Sequence, residues 1–425
     1  MAVAAVVALA VAGCGGTGDD ATPGTDADLK GQTLEVAAVW SGTEQKNFEA
    51  VLKGFEQKTG AKVTYTSTGD KISEVLTPRI SGGKAPDIAV LPQPGLLNQF
   101  AKDGSIKPVN ADVAKAVDDN YAPVWKDLGS VDGKLYGVWF KAANKSTVWY
   151  QTKAFTDAGV EEPKTWEEFL KVSQTIANSG KPAVSIAGAD GWTLTDWFEN
   201  VYLSQAGPEM YDKLTTHEIP WTDPSVKKAL TTLGELWGKS TLIAPGSAQT
   251  DFPTSVKNVF AADKAAMVYE GDFVAGVISG ETKAKVGEDA KFFSFPQLGE
   301  KPSVVGGGDV AVAFKDSKAA MALMAYLASP ESAEPWAKAG GLTSPNKNFD
   351  AANYPDDTTR DIAKAIGEAS DAGNFRFDMS DLAPPAFGGT PGKGEWKALQ
   401  DFLAAPTTVD ATAAKLEAEA AAAYK

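Results

Sequence analysis

From about residue 32 onward, apolar positions recur with two alternating periods. The run TLEVAAVW (Thr33 to Trp40) is apolar and β-branched, which predicts a buried strand. The following EQKNFEAVLKGFEQKTG sets Phe48, Val51, Leu52 and Phe55 on one helical face and stops at Gly60. AKVTYTST alternates as a second strand, APDIAVLP is a short apolar strand, and GLLNQFAKDG is helical, with Leu96, Leu97 and Phe100 spaced for burial and Gly104 at its end. Strand, helix, strand, helix in this order predicts an α/β fold with a mostly parallel sheet and right-handed crossovers. Ligands of such sheets bind beyond the carboxyl ends of the strands, so the loops after Val39 and Leu91 are the places to expect a site.

The amino-terminal segment breaks both periods. Ala2 to Ala12 contains only Ala, Val and Leu, the length of a signal-peptide core and short of the roughly 20 residues that span a bilayer. VAGC then places the chain's one cysteine, Cys14, after small residues, which resembles a bacterial lipobox whose thiol is lipidated. On this reading residues 1–13 are a signal peptide, and 14–31, rich in Gly, Thr, Asp and Pro, form a lipidated flexible tether. A charged n-region is missing, so Met1 reads as an internal or trimmed start. The mature chain would be extracytoplasmic, held to the outer face of the membrane by lipid alone.

About 395 residues then remain, enough for two domains. A net charge of -15 with no basic stretch argues against a nucleic-acid partner. One histidine, His217, in the polar connection KLTTHEIPWTDP, reads as a solvated loop residue; with one cysteine besides, no His/Cys metal cluster can be built. The glycines Gly306 to Gly308 lie between strand-like segments without the Lys-Ser/Thr of a phosphate loop. They mark backbone that bends or approaches something closely, the alternative being an ordinary tight turn.

Several segments in order carry a family resemblance: LEVAAVWSGTEQKNFEAVLKGFEQKTGAKV, GGKAPDIAVLPQPGLLNQFAKDGSIKPV, DGKLYGVWFKAANKSTVWYQTKAF, MVYEGDFVAG, and ASPESAEPWAKAGGLTSPNK. Together they resemble extracellular solute-binding protein family 1, the carbohydrate receptors of bacterial ABC transporters, and GWTLTDWFENVYL with HEIPWTDPSVKKAL is most similar to the receptors for α-glucosides. The resemblance implies a two-lobed periplasmic-binding-protein fold, type II-like, with mostly parallel sheets flanked by helices and a ligand cleft between lobes. One lobe would hold 32–140 plus 309–342, and the other 145–303 plus 347–425. Hinge crossings would fall near 141–144, 304–308 and 343–346, where the glycines suit a change of backbone angle. A monomer is implied that binds a sugar, hands it to permease subunits, needs no cofactor or metal and does no catalysis.

Sugar binding calls for aromatic faces for C–H groups and paired donors and acceptors for hydroxyls. Residues of that kind at predicted strand ends are Trp40 and Glu44, Gln93, Trp192 with Asp196 and Trp197, and Glu270 with Asp272 and Phe273. The resemblance adds Asp70, Lys141 and Asp309, and, in the proline-broken FRFDMSDLAPPAFGG, Met379, Asp381 and Phe387. DGWTLTDWF is expected to be a cleft-facing loop, whereas Trp166, Trp237 and Trp396 fall in helix-periodic runs and are assigned to packing. Two alternatives are a secreted glycoside hydrolase using a carboxylate pair and a lipid-anchored adhesin with no enclosed cleft.

Overall fold

The computed structural model describes residues 28–300 and 302–425. Cys14, the predicted signal peptide and most of the predicted tether lie outside them. The opening β-α-β unit follows the sequence closely. Strand β1 (Thr33–Ala38) pairs in parallel with β2 (Lys62–Ser67) and β3 (Ile88–Leu91). The helix Gly42–Thr59 between β1 and β2 buries Phe48, Val51, Leu52 and Phe55, and ends where Gly60 turns left-handed at φ 75° and donates its N–H to the Glu56 carbonyl.

Short strands β4 (Ser130–Val131) and β5 (Lys134–Leu135) form a hairpin; then come β6 (Gly137–Asn144), β7 (Thr147–Gln151), β8 (Val184–Ser185), β9 (Met267–Tyr269), β10 (Ala290–Ser294), β11 (Val304–Ala313) and β12 (Phe375–Phe377). One sheet runs β12-β11-β3-β1-β2 with β6 also on β11, and a second runs β10-β7-β9-β8. Each sheet has its own apolar core: Val36, Phe48, Val90, Leu97, Val312 and Trp336 in the first, Phe169, Trp197, Tyr202, Leu233, Met267 and Phe402 in the second. The chain passes from one to the other between β6 and β7, which only Lys145 and Ser146 separate.

The α/β architecture and its two lobes are those expected, but the sheets are mixed instead of mostly parallel. Strands β3 and β6 both lie antiparallel to β11, and β7 lies antiparallel to β9 and β10. The cause is connectivity: β11 arrives from the second lobe and enters the first sheet at the end toward which β1, β3 and β6 run. Gly306 to Gly308 are part of β11, opposite Asn144, Ala143 and Ala142. A Cβ at Gly308 would stand 2.5 Å from the Lys141 carbonyl oxygen and 3.1 Å from the Trp139 ring, so close approach, and not a tight turn, explains the glycines. Gly308→Ala is therefore expected to cost about 1–3 kcal/mol through overpacking against backbone, measured by urea unfolding; a midpoint unchanged from the parent would contradict this packing.

Candidate ligand cleft

A cleft of about 350 Å³ opens where the carboxyl ends of β1, β3 and β6 meet the amino ends of helices from both lobes. The first lobe supplies Trp40 and Glu44 around the start of helix Gly42–Thr59, Asp70, and Pro92 and Gln93 before helix Pro94–Lys102. The second supplies Asp190 and Trp192 at the start of helix Trp192–Ala206, Asp251 and Phe252 at that of Phe252–Phe260, and Phe273 before Val274–Glu281. Lys141, Lys145 and Asp309, on or beside the paired strands β6 and β11, form its floor. The loops after Val39 and Leu91 both reach it, because strand-to-helix turns in this fold gather on one side of the sheet.

Its aromatic wall is a cluster in which Trp192, half-buried, lies 5.6 Å from Phe252 and 5.9 Å from Phe273, ring centre to ring centre. On the floor, the Lys141 ammonium sits 5.0, 5.3 and 5.8 Å from the rings of Trp336, Phe273 and Trp40, and 2.8 Å from Glu44 Oε1. Burial works against that ammonium, yet Glu44 and Asp309 hold its pKa above the ordinary lysine range. Desolvation pushes the Asp309 carboxyl up to about 7 in spite of Lys141. Burial also takes Asp190 to about 7, although its Oδ2 accepts from the Phe252 N–H at 2.6 Å, and the nearby Asp70 and Asp251 charges add to the rise. Asp70 itself is raised by desolvation, partly offset by the indole N–H of Trp192 across the cleft. Gln93 Oε1 is buried with no donor. These groups together offer flat apolar faces beside carboxyl groups and one amide oxygen that lacks a donor, the mixture a polyhydroxylated ring requires.

Residues 40–334 match the family model of bacterial extracellular solute-binding proteins. This chain belongs to that family. The solute-binding protein is 34% identical over 394 residues to the osmoprotective compounds-binding protein GgtB of Synechocystis sp., covering 90% of this chain and 91% of that one. It is also 34% identical over 406 residues to the alpha-glucosides-binding periplasmic protein AglE of Rhizobium meliloti, covering 91% and 86%. Among solved structures, the bacterial solute receptor AcbH, described as preferring β-D-galactopyranose, superposes with a TM-score of 0.82 at 21% identity, over 93% of this chain and 100% of that one. No helix among the described residues is long and apolar enough to cross a membrane.

Of the residues expected from sequence, the solute-binding protein brings Trp40, Glu44, Asp70, Gln93, Lys141, Trp192, Phe273, Asp309 and Asp381 to the cleft wall. The other six lie behind it. DGWTLTDWF is not a loop: helix Trp192–Ala206 begins within it, and Thr193 to Leu203 are all buried. Trp197 packs 4.4 Å from the Tyr269 ring in the second core, where Met379 and Phe387 are also found. Asp272 is hydrogen-bonded to Thr343 between the lobes, and burial carries its carboxyl up to about 6. Asp196 sits beneath the floor in a network centred on Lys145, whose Nζ is 3.2 Å from Asp196, 2.5 Å from Asp378 and 3.3 Å from Asp381; Glu270 is buried with neither carboxylate oxygen hydrogen-bonded. Burial opposes the Lys145 charge, but these carboxylates raise its pKa well above the usual range, and Asp378 is driven well below its own. Burial raises Asp196, Glu199, Glu270, Asp381 and Glu395 well above theirs.

Sequence reasoning missed Lys145, Asp190, Asp251 and Trp396 on the cleft wall. Trp396 had been assigned to packing; it stands in the first turn of helix Gly394–Ala404, where a side chain can pack on one side and face a neighbouring cleft on the other. His217 is not merely a solvated loop residue either. Its Nε2 lies 3.2 Å from Glu417 and its ring 5.2 Å from Tyr424, which fastens the carboxy-terminal helix Val409–Ala423.

Proposed function

We propose that this solute-binding protein captures a carbohydrate of the α-glucoside class, closes its two lobes over it and presents it to an ABC import permease. The reading rests chiefly on one observation: Trp192, Phe252 and Phe273 form an aromatic wall in a cleft that also gathers hydrogen-bonding side chains from both lobes. Asp196, Trp197, Glu270, Asp272, Met379 and Phe387 would act behind the wall, and the remaining expected residues would touch the sugar. The α-glucoside class is favoured by the similarity to AglE over nearly the whole of both chains. Closure would turn on the crossings at 141–144, 304–308 and 343–346, between lobes 32–140 plus 309–342 and 145–303 plus 347–425.

A panel of maltose, trehalose, sucrose and raffinose, with monosaccharides as controls, tests this by thermal shift followed by calorimetry and product analysis. A ligand that binds only the folded chain raises the melting temperature in proportion to RT ln(1 + [L]/Kd). Binding without turnover is expected; turnover would favour the hydrolase alternative, and no response from any saccharide would favour the adhesin. Trp192→Ala is expected to weaken the responding sugar by about 1–3 kcal/mol, or roughly 5-fold to 150-fold, because a stacked face is lost at a half-buried position while most of the core remains. Equal affinity in a folded variant would move the site away from this wall.

The lipid anchor belongs to the same reading. In a bacterial host Cys14→Ala should shift the protein from the membrane fraction into the medium or soluble extracytoplasmic fraction. Continued membrane retention would remove Cys14 as the anchor.

A further inference from the structure

Seven carboxyl groups line the cleft against two ammonium groups, and no arginine is among the lining residues. Both ammonium groups are already engaged: Lys141 by Glu44 at 2.8 Å inside an aromatic cage, and Lys145 by three carboxylates within 3.3 Å. At helix Phe252–Phe260 the amino end that would otherwise attract an anion is served by residents. Asp190 accepts from the Phe252 N–H, and Asp251 caps the same helix by accepting from the Thr254 N–H at 2.8 Å. Independently of the acids, Gln93 is only 4% exposed yet leaves its amide oxygen without a donor, and it lines the cleft. That oxygen needs a hydroxyl or N–H and repels another oxygen anion.

Building on the saccharide reading, we infer that the cleft is built for uncharged glycosides and excludes their phosphorylated or carboxylated counterparts. An anionic ligand would bring a charge into a partly desolvated site with no free cation to meet it, beside the carboxyl groups of Asp70, Asp190, Asp251 and Asp309. Exclusion of this kind gives specificity through repulsion, which contacts to the correct ligand alone do not provide. In the cell it would keep the receptor from being occupied by sugar phosphates and sugar acids that share the same ring.

The experiment uses the soluble chain and three matched pairs: trehalose with trehalose 6-phosphate, maltose with maltobionate, and sucrose with sucrose 6-phosphate. Affinities are measured by calorimetry at pH 8, above the value of about 7 at which Asp190 and Asp309 ionise, and at about 0.01 M and 0.5 M salt, where the screening length falls from roughly 30 Å to less than 5 Å. For whichever neutral sugar binds, its anionic partner is expected to bind at least about 100-fold more weakly at low salt, with the gap narrowing at least about 3-fold at high salt. Asp251→Asn, which keeps the helix cap, should narrow it similarly at low salt. An anion that binds as tightly as its neutral partner overturns the inference and leaves the saccharide reading standing. A gap indifferent to both salt and Asp251→Asn also overturns it, because size would then be the discriminator. Failure of every neutral and anionic probe to bind overturns the saccharide reading and the inference with it.

Discussion

Lys145→Met is expected to lower the stability of the protein by about 3–5 kcal/mol at neutral pH, the scale for removing one partner from a buried ion pair. Its side chain is 10% exposed, and Asp196 and Asp378 on its other side are 0% and 1% exposed. No other ammonium or guanidinium group bonds to Asp378 among the described residues, so the variant leaves a buried carboxylate unpaired. The lysine does more than neutralise. Its backbone N–H donates to the Val305 carbonyl, and its own carbonyl accepts from Tyr269 and Asn200, which fixes the point where the chain passes from β6 to β7. Its stem fills the space over Gly307, where a Cβ would come within 2.8 Å of Lys145 Cε. The deficit has a signature that lost packing would not share. Lys145 holds Asp378 well below the usual carboxylate range, and without it Asp378 is free to take a proton as the pH falls. Urea unfolding at pH 7.5 and pH 5 should therefore show a large gap between parent and variant at the first and a small one at the second. A gap equal at both values would show that the ion pair is not what Lys145 contributes.

None of this network could be read from sequence, and the reason is specific. The partners of Lys145 lie 51, 233 and 236 residues away, so no local period or spacing marks it. What the sequence does make legible is local: the β1-helix-β2 unit, its Gly60 stop, and the strand-end loops that carry Trp40 and Gln93. Trp192 and Trp197 show the limit of a motif. Both belong to one short aromatic and acidic stretch, but five helical residues turn the second about 140° from the first around the axis. One therefore faces the cleft and the other the second core. The helix starts at Trp192, where Gly191 offers no side-chain cap to announce it. Trp396 is buried as its helical period predicts, but that period does not reveal that its turn of the helix also borders the cleft.

The acids that the sequence scattered and the fold collected also determine how the molecule responds to pH. Asp272 stands at about 6 and Asp190 and Asp309 at about 7, each raised chiefly by burial, against about 3.9 in an unfolded chain. Asp196, Glu199, Glu270, Asp381 and Glu395 are displaced in the same direction. When the folded value exceeds the unfolded one, the native state binds the extra proton. The associated stability is complete below about pH 4 and is lost as the pH rises through 6 and 7. Asp378, with more exposed carboxyls such as Glu35, Glu56, Asp263 and Asp401, is displaced downward and contributes in the opposite sense, but that change falls below the unfolded carboxylate value and so outside the range from pH 5 to pH 8. The single histidine of the chain leaves little else to titrate in this window. Each tenfold difference in proton affinity is worth about 1.4 kcal/mol, and relaxation and entry of water reduce the total, so a loss of about 3–6 kcal/mol is expected between pH 5 and pH 8. Calorimetric scans of the ligand-free protein should then give a melting temperature roughly 5–10 °C lower at pH 8 than at pH 5. Asp309→Asn should flatten the profile, because an amide has no proton to lose as the pH rises. A melting temperature that holds steady or climbs from pH 5 to pH 8 would mean that these carboxyl groups are solvated or paired in the native state, and that the cleft floor is not the desolvated acidic surface described above.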